Sequence, residues 1–182
     1  MHGKQNINSW SQRQQAWLAR ERSLSDWMRG AAKRAWIFNV LKLASRLGDG
    51  WIWVGALLAV GLVGGNSGAA AAVRLFSVGA IDLVFYRIIK RWIARPRPSV
   101  SSSLIRRVRP LDVFSFPSGH VMHAVACSIV LTAYFPAAAA VVWPLTTLIA
   151  LSRVILGLHY PSDVIAGAAL GAAVALLSFN LL

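Results

Sequence analysis

The chain has 182 residues, of which 57% are hydrophobic and only 14% charged, and its mean hydropathy is +0.57; a soluble domain carries roughly 25% charged residues. Nineteen Lys and Arg against six Asp and Glu give a net charge of +13, a balance that suits nucleic acid, anionic lipid or an anionic substrate. The bases flank apolar runs of membrane-spanning length, which excludes nucleic acid as a partner, and the single cysteine, Cys127, excludes an intramolecular disulfide.

Residues 1–35 are polar and basic, and the start lacks the apolar core of a cleaved signal peptide. Trp10, Trp17, Leu18, Leu24, Trp27 and Met28 recur at helical spacing among Arg13, Arg20, Arg22 and Arg29. This reads as an amphipathic helix on an anionic membrane surface, with a disordered tail as the alternative. Residues 36–47 are apolar but short, and Lys42 and Arg46 interrupt them. A spanning helix needs about 20 apolar residues, so this segment is expected at the interface, a sixth span being the alternative. Gly48-Asp49-Gly50 then breaks the helix.

Residues 51–65 read as the first span, with Trp51 and Trp53 as an aromatic anchor. After a glycine-rich turn at 64–68, residues 69–89 cross back, carrying Arg74, Asp82 and Arg87. Ionisable groups at such depth face a polar interior, and Asp82 is expected to pair with a neighbouring arginine. Residues 90–116 form a basic, proline-containing loop with a serine run at 99–103. The chain crosses again from Pro117 to about Tyr134, at 137–158 and at 162–182. Gly167 and Gly171 in the last span allow close helix packing within the molecule. The expected fold is all-α: a polytopic transmembrane helix bundle of five or six spans with an N-terminal amphipathic interfacial helix. Its expected division is a basic interfacial region, 1–48, and a transmembrane domain, 49–182.

Three polar clusters should emerge on one side of the membrane. Pro117-Ser118-Gly119-His120 opens a helix. Its small residues let backbone amides approach an anion, the helix N-terminus favours negative charge, and His120 can deliver a proton. Lys90, Arg97 and Arg153 can surround that anion, the arginine fork suiting phosphate oxygens. Arg91, Arg95, Arg106, Arg107 and Arg109 read instead as loop charge near the headgroups. His159 and Asp163 lie four residues apart across a turn. The carboxylate could accept a hydrogen bond from one ring nitrogen and leave the other to attack.

These residues resemble the signature of the type-2 phosphatidic acid phosphatases, integral membrane lipid phosphatases. Lys90, six intervening residues, then Arg97-Pro98 match its first part. Pro117-Ser118-Gly119-His120 match the second; Ser152-Arg153, His159 and Asp163 match the third. The Arg-Leu-Gly-Asp-Gly stretch at 46–50 is also similar to members of that family. The resemblance implies that His159 is the nucleophile and that Asp163 orients it. It implies that His120 protonates the leaving lipid oxygen, and that Lys90, Arg97, Arg153, Ser118 and Gly119 hold the phosphate. It implies no metal and no cofactor, and places the chain in a bacterial inner membrane.

The resulting expectation is a membrane lipid phosphatase, metal-independent, acting on a phosphomonoester or diphosphate lipid in an anionic bilayer through a phosphohistidine. The alternatives are a lipid phosphotransferase and a non-catalytic anionic-lipid binder or transporter. With five spans the positive-inside rule would place the site in the cytoplasm, whereas the family's bacterial members usually face outward. Neither oligomeric state nor the particular lipid follows from the sequence.

Overall fold

The computed structural model describes residues 12–98 and 113–181. Trp10, the serine run and Arg106, Arg107 and Arg109 lie outside the described residues. The regular elements among those described are helices: α1 (Gln12–Arg29), α2 (Ala35–Leu47), α3 (Trp51–Val63), α4 (Gly65–Ile93), α5 (Gly119–Tyr134), α6 (Ala139–Ile155) and α7 (Pro161–Leu181). Short 3-10 turns lie at Gly30–Lys33 and Pro136–Ala138. The chain is an all-α transmembrane bundle.

Helix α4, the stretch Pro136–Ile155 that includes α6, and α7 are each long and apolar enough to cross a bilayer. The expected first span is shorter than its sequence suggested. Helices α2 and α3 have 13 residues each, about 20 Å apiece at 1.5 Å per residue. They reach spanning length only as a pair bent by 55°. Gly50, with φ 107°, makes the break, a left-handed conformation that favours glycine.

Helix α5, 16 residues and apolar, is the hub. It packs against α7, α4 and α6, and α3 lies on α4. Val78, Ala124, Cys127, Val130 and Ile149 form the buried core around it. Phe76, Leu62 and Leu176 face outward, as side chains solvated by acyl tails do. The α5–α7 seam depends on glycine. A Cβ on Gly167 would stand 2.5 Å from the Ser118 carbonyl oxygen, and one on Gly171 2.1 Å from that of Met122. Only bare backbone fits there, as in small-residue helix pairs of membranes.

Helix α1 buries Leu18, Glu21 and Ser25, one face at helical spacing, and exposes Trp17, Leu24 and Trp27 on the other. The buried face rests on α6 and α7. Phe38 and Leu41 of α2 pack with Leu156 and Leu158, just beyond α6. The N-terminal helices thus brace the end of the bundle where the polar clusters emerge.

Candidate active site

Helix α6 ends in a way that delivers His159. Gly157 adopts φ 73°. Its N–H donates to the Val154 carbonyl at 2.9 Å, and the Leu158 N–H donates to that of Arg153 at 3.0 Å. This pair of bonds is the Schellman stop, which needs a left-handed residue after the helix. The chain therefore turns sharply, Arg153 stays on the last helical turn, and His159 follows buried, 1% exposed.

Helix α7 begins two residues later with Pro161, a residue suited to the first helical position. Asp163 Oδ2 accepts the Tyr160 N–H at 2.8 Å, which caps the helix as in half of a capping box. Its Oδ1 accepts from Arg95 Nη1 at 2.7 Å. His159 Nδ1 is 3.7 Å from Asp163 Oδ2, beyond hydrogen-bond length. The expected carboxylate–imidazole bond is replaced: Nδ1 lies 2.6 Å from the backbone carbonyl of Ser115. A carbonyl can only accept, so Nδ1 carries the proton and Nε2 keeps its lone pair.

Ser115 is brought there by the chain leaving α4. Ala94 turns that chain at φ 45°. The Ser115 N–H then donates to the Arg95 carbonyl at 2.8 Å, beside an antiparallel bridge between Pro96 and Phe114. Arg95 departs from its expected role as headgroup charge. It is buried, donates to Asp163, Ser162 Oγ (2.6 Å) and Glu21, and lies over the Tyr160 ring at 4.1 Å. Glu21 also accepts the Ser162 N–H at 3.0 Å. A carboxylate from α1 is therefore part of the support beneath His159.

Lys90, Arg97 and Arg153 are buried, and the charge of each reaches the His159 imidazole. Arg97 Nη1 donates to the Leu158 carbonyl at 2.5 Å and Arg153 Nη1 to Ser45 Oγ at 2.5 Å. Lys90 Nζ donates to Tyr86 Oη at 3.0 Å. Burial holds the His159 imidazole far below the usual 6.5, and the charges of Arg153, Arg97 and Lys90 push it the same way. His159 is thus a neutral ring facing cations, which suits a nucleophile awaiting a phosphoryl group.

On the opposite wall, α5 starts at Gly119. A Cβ there would stand 2.6 Å from the Tyr86 ring, so glycine allows Tyr86 and Lys90 to close on the helix start. The Ser118 N–H is used by the Asp163 carbonyl at 3.0 Å, so it is not the backbone donor that the sequence suggested. The buried Ser118 Oγ has no hydrogen-bond partner among the described residues. The first amides of α5 lack intrahelical acceptors. His120 Nε2 lies 2.6 Å from Asp49 Oδ1, in the break between α2 and α3. Each of the two imidazoles thus has one nitrogen fixed by an oxygen acceptor.

A cavity of about 290 Å³ opens on the His120 side, lined by Asp49, Tyr86, Gly119 and His120 and, farther in, by Asp82 and His123. Among the described residues Asp82 pairs with no arginine; its charge partner there is His123 Nδ1, at 3.7 Å. Arg74 turns away to Tyr134 Oη (3.1 Å) and the Ser178 carbonyl. Among the described residues no three His, Cys, Asp or Glu side chains converge as metal ligands.

The sequence profile of the PAP2 superfamily matches residues 70–182. Decaprenylphosphoryl-5-phosphoribose phosphatase of Mycobacterium tuberculosis is 38% identical over 89 residues, 48% of each chain. Phosphatidylglycerophosphatase B of Bacillus subtilis is 33% identical over 102 residues, 50% of this chain and 47% of that one. This chain thus spans about half the length of the relatives it matches. The fold is shared with the crystal structure of the transmembrane PAP2-type phosphatidylglycerolphosphate phosphatase from Bacillus subtilis. That match has a TM-score of 0.71 and 22% identity, covering 91% of this chain and 86% of the other. It is shared also with Aquifex aeolicus LpxE: TM-score 0.74, 22% identity, covering 87% and 93%. With its profile match extending over more than half of the sequence, this chain belongs to the PAP2 superfamily.

Proposed function

We propose that this protein is a lipid phosphatase of a bacterial inner membrane, hydrolysing a phosphomonoester or diphosphate lipid through a phosphohistidine, without a metal. The observation that carries the reading is the state of His159: Nδ1 tied to the Ser115 carbonyl at 2.6 Å, the ring buried and neutral, and three cations beside it. The bacterial phosphatases among the relatives support the reaction class and a bacterial source.

In this reading the phosphate sits among Lys90, Arg97 and Arg153, with Ser118 Oγ and the Gly119 amide as donors. Phosphoryl transfer needs positioning and charge stabilisation above all. His159 Nε2 attacks phosphorus, the bond to the lipid oxygen breaks, and His120 gives that oxygen a proton. Water then attacks the phosphohistidine and yields its proton to His120. Inorganic phosphate leaves and Nε2 regains its lone pair. Asp49 orients His120 through both steps. Asp163 positions Tyr160 and Arg95, and through them the segment that carries His159.

The test is phosphate release by the purified protein from a panel of phosphatidate, phosphatidylglycerol phosphate and polyprenyl diphosphate, with and without EDTA. Release that survives EDTA and vanishes in His159→Ala is expected. Binding without turnover across the panel would turn the reading to a lipid binder. Transfer of label to an added lipid or sugar in preference to water would turn it to a phosphotransferase.

A further inference from the structure

We infer that Asp82, backed by His123, binds a free hydroxyl on the leaving alcohol of the substrate. The preferred class is then a lipid phosphomonoester whose departing group is a glycerol- or pentose-type polyol. The inference rests on the phosphatase reading above and adds the part of the substrate beyond the ester oxygen.

Asp82 is 3% exposed in the middle of α4, and neither of its carboxylate oxygens has a hydrogen-bond partner among the described residues. A buried carboxylate left so is costly, and more so within a membrane-spanning helix. His123 meets it only at ion-pair range, beyond hydrogen-bond length. Its Nδ1 stands 3.7 Å away, its Nε2 lies 3.7 Å from Cys127 Sγ, and its ring meets Trp53 edge-on at 6.4 Å. A Cβ on Gly79 would come 3.0 Å from the His123 ring, so α4 is bare where that ring packs.

Both side chains line the cavity that begins at His120. At 1.5 Å per residue, His123 lies about 4.5 Å along α5 from His120, and Asp82 about 6 Å along α4 from Tyr86. A phosphate among the cations puts its ester oxygen at His120. The next atoms of the leaving group then enter the cavity one helical turn deeper, where Asp82 waits. A volume of about 290 Å³ is at the lower end of small-molecule sites, roughly 300–1,000 Å³, and suits a glycerol or pentose. A hydroxyl there fills the vacant bonding capacity of Asp82. A leaving group without one strands it, and a diphosphate, which sets its second phosphate directly beyond the ester oxygen where the hydroxyl would lie, meets like charge.

The test compares kcat/KM for phosphatidylglycerol phosphate, whose leaving alcohol has a hydroxyl beside the ester carbon, with that for phosphatidate, whose leaving alcohol has none. The whole 182-residue chain in mixed micelles is used, as wild type, Asp82→Leu and Asp82→Asn. Wild type should favour the hydroxyl-bearing lipid by roughly 10- to 100-fold, the weight of a hydrogen bond to a charged group. Asp82→Leu should cut that ratio at least tenfold, with a Tm equal to or above wild type because the stranded carboxylate is gone. Asp82→Asn should lower the ratio less, in the same direction, and carries the comparison if the leucine variant fails to fold. An unchanged ratio in a folded variant, or equal loss on both lipids, overturns the inference and leaves the phosphatase reading standing. No phosphate release by wild type from either lipid or from polyprenyl diphosphate overturns both.

Discussion

Arg95 Nη1 stands 2.7 Å from Asp163 Oδ1, both side chains are buried, and Glu21 closes the same guanidinium from α1. Removing one member of a buried ionic cluster leaves the others uncompensated, at a cost of about 3–5 kcal/mol. Arg95→Ala should therefore lower the melting temperature of the detergent-solubilised protein and abolish activity with it. Arg95→Lys should not rescue it. One ammonium cannot reproduce a fork that reaches Asp163, Ser162 and Glu21 together. Wild-type stability in Arg95→Ala would mean that the cluster does not support the site.

Asp49 makes a different demand. It is partly exposed and touches the site through His120 alone among the contacts described for it. Asp49→Asn should leave the fold intact and lower kcat by about 10²-fold, the lower end of the range for a general acid. KM should change little, because the cations still hold the phosphate. A variant with full kcat would remove Asp49 from the proton-transfer step.

The seam between α5 and α7 predicts an order of severity. Gly171→Ala would place a methyl 2.1 Å from the Met122 carbonyl oxygen, a backbone atom that cannot swing aside. Gly119→Ala meets the Tyr86 ring at 2.6 Å, which can. Overpacking costs about 1–3 kcal/mol or more. Gly171→Ala should accordingly reduce folded yield more than Gly119→Ala. The latter should mainly reduce activity, by displacing Tyr86 and with it Lys90.

His159 links stability to pH. Its folded form stays neutral well below the usual 6.5, because it is buried among cations. Below about pH 6.5 the unfolded chain binds a proton there that the folded chain does not. Stability from this group is thus present above that pH and falls as pH drops, by up to about 1.4 kcal/mol per pH unit. His159→Asn should flatten the fall in Tm between pH 6.5 and 5 relative to wild type. Parallel curves would place a protonated His159 in the folded protein.

The legible part of the site was the part written in side chains at fixed spacing. Lys90, Arg97, His120, Arg153, His159 and Asp163 stand out because ionisable side chains are unusual at the ends of apolar runs. The acceptor for His159 did not stand out, because it is the backbone carbonyl of Ser115. Backbone oxygens carry no residue signature, and this one is placed by a bridge across the loop. Arg95 was hidden by equally basic neighbours; only burial separates it from Arg91. The α2–α3 break was visible as Gly48-Asp49-Gly50, yet its function was not, since its reach to His120 spans 71 residues. His123 follows His120 by one helical turn, a spacing that could have marked it as a second cavity-facing group. The all-α class followed from hydropathy alone, whereas the length of the first crossing depended on a bend that composition does not encode.

The proposed mechanism turns on transfer of the phosphoryl group to His159 Nε2. The direct measurement is rapid quenching of the His120→Ala variant with lipid substrate carrying a radiolabelled terminal phosphate, followed by peptide mapping. An acid-labile, base-stable label is expected on the peptide containing His159, absent from His159→Ala. Phosphate release in the wild type with no protein-bound label on the path, or label on another residue, would contradict that mechanism.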